Sequence, residues 1–197
     1  MLIVFEGLDQ SGKETQARML RERLAQEGRA VRALSFPEYE TPIGREIRHA
    51  LNGQREFPAD VMQLLYVANR LEFRPQMEQW LAAGDIVVCD RYCASTIAYG
   101  EAQGLDVAWL TEIQRPLPPP QVTVLLDIAP DVAARRKAVN RDRYESDLGL
   151  LARVRDSYTR QAAAAGWCVV DANAAREVVE VAVAAGVRQI MQGVGGR

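Results

Sequence analysis

Two glycines, a lysine and a threonine stand close together in Gly7-Leu8-Asp9-Gln10-Ser11-Gly12-Lys13-Glu14-Thr15. The run G-x-x-x-x-G-K, set between an apolar strand and a helix, is a loop whose backbone N–H groups converge on phosphate oxygens. The positive end of the helix that follows adds to the attraction, and Lys13 brings a flexible cation to the outer phosphates. A Ser or Thr hydroxyl commonly follows the lysine and holds Mg2+; here Glu14 takes that place, with Thr15 one residue later. A turn that only caps a helix is the plainer alternative, and the order strand, loop, lysine, helix argues against it. Gly7, Gln10, Ser11, Gly12, Lys13, Glu14 and Thr15 thus form a candidate phosphate cradle. Asp9 is out of character there, because a carboxylate repels phosphate. Either it stabilises the turn as an Asx residue, or it has a metal or a sugar hydroxyl to bind.

Three further groups could complete such a site. Asp90-Arg91-Tyr92 closes an apolar run, where the acid can hold magnesium or orient an oxygen and the arginine can clamp phosphate with two parallel bonds. A structural Asp–Arg pair is the alternative. Tyr66, Asn69, Arg70 and Phe73 fall at i, i+3, i+4 and i+7 and so share one helix face. An aromatic ring with an arginine one turn on suits a nucleobase, but spacing alone favours a core stripe with Arg70 reaching to solvent. Arg135, Arg136, Lys137, Arg141 and Arg143 crowd five cations into nine positions. They repel one another unless an anion joins them, as a basic lid over a transferring phosphoryl group would allow. A solvated helix end is the other reading.

These residues need a scaffold. The chain has 197 residues, 48% hydrophobic and 25% charged, which suits a single domain over residues 1–197 with a core that needs no disulfide or metal staple. A net charge of −2 gives no field that would draw the whole molecule to nucleic acid or an anionic membrane. Cys89, Cys93 and Cys168 make neither a disulfide framework nor a paired zinc site, and His49 is the only histidine. Glu6 interrupts the apolar start before a secretion signal can form. The longest charge-free apolar stretch, 162–170, is too short for the ~20 residues that span a bilayer. The expected location is the reducing cytoplasm, with no membrane and no nucleic-acid partner.

Five β-rich runs, Leu2–Phe5, Ala30–Phe36, Ile86–Cys89, Val122–Leu126 and Trp167–Val170, alternate with helical patterns. Helices are expected at 13–26, 44–51, 58–83 as one long element, 94–102, 107–114, 131–139, 148–165 and 176–191, with a frayed tail from Gly193. The predicted class is α/β: a P-loop three-layer fold with a five-stranded parallel sheet, helices on both faces and a short basic lid at about 140–147. Ligands of such folds gather at the carboxyl ends of the strands, and each motif above follows a β run.

Taken together, these motifs resemble the thymidylate kinase family of P-loop nucleoside monophosphate kinases. The resemblance runs through Phe5-Glu6-Gly7-Leu8-Asp9, Gly12-Lys13-Glu14-Thr15-Gln16, Phe36-Pro37, Thr41-Pro42-Ile43-Gly44 and Ala68-Asn69-Arg70. It continues through Asp90-Arg91-Tyr92, Ser95, Ala98-Tyr99, Leu125-Leu126-Asp127, Arg143-Tyr144-Glu145 and Val170-Asp171-Ala172. It implies transfer of the γ-phosphoryl group of ATP to dTMP with Mg2+, giving dTDP and ADP, by a homodimer. It further implies that Gly7 to Thr15 hold the ATP phosphates and that Ala172 and Asn173 lie near adenine. Asp9 would bind the deoxyribose 3′-hydroxyl or a magnesium-linked water, and Asp90 and Glu145 would serve the metal. Tyr66 would stack on thymine and Arg70 would hydrogen-bond it, against the core-stripe reading. Thr96 would contact the base, Arg91 would clamp the dTMP phosphate, and Phe36, Tyr39 and Ser95 would line the nucleotide. Tyr99 would crowd a ribose 2′-hydroxyl, and Tyr144 would close the site from the lid.

Three departures from the family pattern stand out. Glu14 replaces the magnesium hydroxyl. Gln10 stands where some members carry an arginine, so Arg141 or Arg143 should supply the catalytic arginine. Gly100 replaces a glutamine that often follows Ala-Tyr. The rival readings are a kinase for another acceptor such as dUMP, or a nucleotide-binding regulator without turnover.

Overall fold

The computed structural model describes residues 1–136 and 147–194. Its five strands are β1 (Leu2–Glu6), β2 (Val31–Ser35), β3 (Ile86–Asp90), β4 (Val122–Asp127) and β5 (Cys168–Asp171). They form one sheet in the order β2-β3-β1-β4-β5, every pairing parallel. The central strands β1, β3 and β4 are the continuous apolar runs, as strands covered on both faces should be. Alternate side chains of β1 enter different cores. Ile3 and Phe5 pack with Leu20 and Leu24 of α1 (Lys13–Gln26) and Val183 of α9 (Arg176–Val194), whereas Leu2 and Val4 pack with Met77, Val87 and Tyr92. Helices therefore cover both faces, as expected.

The remaining helices among the described residues are α2 (Pro42–Leu51), α3 (Ala59–Glu72), α4 (Arg74–Ala82), α5 (Cys93–Ala102), α6 (Val107–Glu112), α7 (Pro130–Arg136) and α8 (Leu148–Ala165). The single helix expected over 58–83 is in fact two, α3 and α4, broken at Phe73 (φ −96, ψ −5). Pro75 is the cause. It has no N–H for the Leu71 carbonyl and its ring would press on that carbonyl, yet it fits the first turn of a new helix. Gly193 and Val194, expected to be frayed, are helical, since α9 runs on to Val194; an interior glycine costs a helix only ~1 kcal/mol and does not end it. No helix among the described residues is long and apolar enough to cross a membrane.

Two close approaches bring the loops of the site together. A Cβ on Gly7 (φ +138) would lie 2.5 Å from the Leu126 carbonyl oxygen, so the loop after β1 is pressed against the end of β4. A Cβ on Gly44 would lie 1.8 Å from the Glu38 carbonyl oxygen, so the first turn of α2 fits under the 36–40 segment only as glycine. Asn69 of α3 locks the same segment. Its Oδ1 accepts from the Glu38 N–H (2.8 Å) and its Nδ2 donates to the Glu38 carbonyl, the Thr41 hydroxyl and Glu72.

Candidate active site

The loop between β1 and α1 closes on itself through a Ser11 N–H to Leu8 carbonyl bond of 3.2 Å. Gly12 begins α1 with φ 92, a left-handed conformation open to glycine, and leaves the first helical N–H groups without a side-chain cap. Lys13 is buried, and its Nζ donates to the Leu8 carbonyl at 2.8 Å. Burial, followed by the nearby Arg91 charge, lowers the Lys13 pKa against the opposing pull of Asp9, Asp90 and Glu6. A phosphate arriving here would supply the missing negative charge. The Ser11 hydroxyl is buried without a hydrogen-bond partner among the described residues, another group waiting for an acceptor. Glu14 is exposed in the first turn of α1, where its charge complements the helix dipole. Both Glu14 and Thr15 border a cleft with Asp9, Lys13, Asp90 and Arg91.

Asp9 has a direct partner. Arg91 Nη2 donates to its Oδ1 at 2.5 Å, and the Tyr99 hydroxyl donates to its Oδ2 at 3.3 Å. Burial alone would raise the Asp9 pKa, but the charges of Arg91 and Lys13, with those hydrogen bonds, hold it well below the usual carboxylate range. The turn after β3 aims Arg91 by placing it at φ 63, a strained value for a residue with a side chain. Arg91 Nη1 donates to the Ser95 hydroxyl (3.2 Å) and the Tyr158 hydroxyl (3.3 Å). Behind them lies Glu6, fully buried, which accepts from the Tyr92 N–H (2.9 Å), the Ser95 hydroxyl (2.6 Å) and the Tyr158 hydroxyl (3.2 Å). Arg91 is thus gripped from three elements: the loop after β1, α5 and α8.

Asp90 does not pair with Arg91, contrary to the structural alternative for that dipeptide; Arg91 turns to Asp9 instead. Burial pushes the Asp90 carboxyl up, more than Lys13 and Arg91 pull it down. Its Oδ1 is buried with no hydrogen-bond partner among the described residues. An orphaned carboxylate oxygen beside a phosphate cradle fits a hard cation or its bound water.

A second cleft, with about 520 Å3 of space, opens beside the first and shares Asp9, Phe36, Pro37, Tyr39 and Arg91 with it. Phe36, Pro37, Tyr39, Leu51 and Tyr66 make apolar walls, while Arg70, Thr96 and Gln63 are polar. Arg70 does not reach to solvent, as spacing alone had favoured. It is 3% exposed, and its Nη1 donates to the Thr96 hydroxyl at 2.7 Å, a partner on α5 that helical periodicity cannot reveal. Of the other residues on that face, Tyr66 lines the cleft, Asn69 holds the 38–41 segment and Phe73 packs edge-on against Phe36 at 5.7 Å. Gly100 offers no contact to the cleft. A Cβ there would meet Leu110 Cδ2 at 2.6 Å, so α6 fills the space a longer side chain would need.

The basic cluster divides. Arg135 pairs with Asp131 at 2.7 Å, and Arg136 donates to the carbonyls of Gln10 (3.1 Å) and Ala172 (2.7 Å). Those two cations are satisfied within the chain and need no anion. Lys137, Arg141, Arg143, Tyr144 and Glu145, with the whole 140–146 part of the expected lid, lie outside the described residues. Ala172 and Asn173 follow β5 and line neither cleft; Arg136 ties their segment to the phosphate loop, and Asn173 donates to Asp171 at 2.6 Å. Sequence reasoning missed Glu6 and Tyr158, whose contact spans 152 positions and leaves no local signal. It also missed Gln63 and Leu51. Gln63 could have been found, since it stands three before Tyr66 and seven before Arg70 on the same helix face.

The chain is similar to known proteins of one family. The sequence profile of the family described as Thymidylate kinase matches residues 5–183. The chain is 36% identical to a thymidylate kinase of Danio rerio, over 91% of this chain and 85% of that one. It is 38% identical to a thymidylate kinase of Thermomicrobium roseum, over 96% and 95% respectively. Among solved structures, thymidylate kinase from Candida albicans superimposes with a TM-score of 0.73 at 30% identity, covering 86% of this chain and 82% of its own.

Proposed function

This chain belongs to the thymidylate kinase family, and from that premise we propose how its residues carry out the family reaction. The enzyme transfers the γ-phosphoryl group of ATP to dTMP, giving dTDP and ADP. The observation that carries the residue assignment is the pair of clefts meeting at Asp9 and Arg91, one with phosphate-loop chemistry and one with an apolar slot and polar end. ATP phosphates fit against Gly7, Gln10, Ser11, Gly12, Lys13, Glu14 and Thr15. The base of dTMP enters between Phe36, Tyr39 and Tyr66 towards Arg70 and Thr96, while its phosphate meets Arg91, beside Ser95. Tyr99, between Asp9 and Arg91, stands where a deoxyribose links those two ends.

The attacking dTMP phosphate oxygen is already anionic near neutral pH, so no proton acceptor is required. Alignment and charge neutralisation carry the reaction. Lys13 neutralises the ATP phosphates, and Arg91, held rigid by Asp9, Ser95 and Tyr158, fixes the acceptor oxygen. Mg2+ fits beside Asp90, whose orphaned Oδ1 would hold it directly or through water, with Asp9 and Glu145 as further candidates; bound there, it supplies charge to the β and γ phosphates. Arg141 and Arg143 are the two candidates for the cation on the transferring group, with Tyr144 closing beside them, and Ala172 and Asn173 are assigned to the adenine.

All described site residues come from one sheet and its helices, which supports reading 1–197 as one catalytic unit with a lid at about 140–147. The resemblance also supports a homodimer, tested by sedimentation at micromolar concentration, where a monomer would contradict it. Three free cysteines suit a reducing cytoplasm, and a fractionation placing the protein elsewhere would overturn that. The residue assignment is tested with Arg91→Lys, which keeps the charge and removes the planar fork. We expect kcat/KM for dTMP to fall about 100-fold with the KM for ATP little changed. An unaltered dTMP response would remove Arg91 from the acceptor site.

A further inference from the structure

The acceptor cleft contains a polar side chain whose bonds no described residue makes. Gln63 on α3 is 0% exposed, and among the described residues neither its Oε1 nor its Nε2 has a hydrogen-bond partner. It lines the cleft with Leu51, Tyr66, Arg70 and Thr96. A buried primary amide left wholly unpaired is costly, and native proteins keep such groups where a ligand or water completes them.

The chemistry of its neighbours narrows what that ligand group is. Asp9, Arg91, Ser95 and Tyr99 are joined to one another and belong to the phosphate and sugar end. The base end has Arg70, Thr96 and Gln63. Arg70 can only donate, while the Thr96 oxygen accepts from it and keeps one lone pair and its own hydroxyl proton. A thymine ring presents two carbonyl acceptors flanking a single N3–H donor. Arg70 can serve a carbonyl but not the N3–H. The acceptor at this end with no bond at all among the described residues is Gln63 Oε1.

We propose that Gln63 is a further substrate-binding residue: its Oε1 accepts the N3–H of the pyrimidine while its Nε2 donates to an adjoining ring carbonyl. The assignment rests on the reading of this cleft as the dTMP site. The amide and the imide edge are complementary, so each satisfies in the complex what the other loses on leaving water. Gln63 is held at that depth by α3, one turn from the ring of Tyr66 that would cover the base. The same pairing serves dUMP, which shares the imide edge, so Gln63 sets affinity for the ring and leaves the methyl group to the apolar walls.

The test uses the full-length protein and Gln63→Met, which keeps the volume and removes the polar atoms. Wild type and variant are each assayed with dTMP and with N3-methyl-dTMP, and the melting temperature is read with and without dTMP. The expected result is a KM for dTMP raised about 10- to 100-fold, with kcat and the KM for ATP nearly unchanged. The variant should also discriminate far less than wild type between dTMP and the N3-methyl analogue. Its ligand-free melting temperature should stay level or rise, because an unpaired buried amide has been removed. A variant with the wild-type KM for dTMP overturns the proposal, and so does one whose ligand-free stability falls while all substrates suffer equally. If wild-type protein itself prefers neither dTMP nor dUMP over acceptors without the imide edge, the reading of the cleft is what has failed, and the Gln63 assignment goes with it.

Discussion

At the scale of single residues, the site combines charges that pair within the chain with groups that no described residue completes. Asp9 and Arg91 satisfy each other, so Arg91 is rigid before dTMP arrives and little ordering remains to be done on binding. Asp90 is the opposite case: it is half-buried beside that pair, with a buried, orphaned oxygen and a pKa above its ordinary value. A carboxyl whose folded pKa is raised binds more protons in the native state, so stability declines as pH rises through its titration. In metal-free buffer, Asp90→Asn is therefore expected to melt at a higher temperature than wild type at neutral pH. The gain should shrink as the pH is lowered through the Asp90 titration, because the wild-type carboxyl then becomes neutral too. Activity should fall, with a weaker response to magnesium. Melting curves from pH 4 to 8 decide the first point, and unchanged magnesium dependence would count against the metal role. The phosphate-loop residues were legible because their chemistry is local, seven residues from Gly7 to Lys13. The partners of Arg91 were not: Tyr158 lies 67 positions away and Thr96 lies 26 from Arg70, distances over which only the fold decides who meets.

Among the elements, α3 does the most for the acceptor cleft. It carries Gln63, Tyr66 and Arg70 on its pocket face, and Asn69 fastens the segment that brings Phe36 and Tyr39 to the opposite wall. Asn69 is fully buried and touches no position a nucleotide would occupy, so it acts by positioning. Asn69→Ala is expected to cost about 1–3 kcal/mol of stability, since the Glu38 N–H loses its acceptor. It should also raise the KM for dTMP more than the KM for ATP, because the 36–40 segment loosens while the phosphate loop does not. Equal effects on both substrates would contradict this division. The break between α3 and α4 shows how an element boundary is lost in reading. The apolar period continues through 58–83, and only Pro75 marks the interruption. The strands fared better because a run buried on both faces, such as Leu2–Phe5, has no periodicity to misread. At Gly44 the glycine was visible in the sequence, but its reason, the Glu38 carbonyl 1.8 Å from a would-be Cβ, is a contact between segments.

For the whole molecule, the sheet order β2-β3-β1-β4-β5 explains why the phosphate loop and the Asp90-Arg91 turn meet, each following a strand. Parallel strands put all their carboxyl ends on one edge, and β1 at the centre places the phosphate loop between the Asp90-Arg91 turn of β3 and the close of β4. Arg136 then ties the loop to the segment after β5 through the Gln10 and Ala172 carbonyls, so the donor side is fastened across three elements. The alternation of β and α patterns was enough to expect this class, whereas the strand order follows from long-range pairing and was not readable. The central claim is that one edge of this sheet aligns ATP with dTMP. Its most direct test is kcat/KM for ADP release from Mg·ATP with dTMP, dUMP, dCMP, UMP, AMP and thymidine assayed in parallel. The account predicts that dTMP is the best acceptor, with UMP and thymidine poor because one carries a 2′-hydroxyl and the other lacks the phosphate that Arg91 holds. Equal or faster turnover of another acceptor, or no turnover in protein that binds ATP, would contradict it.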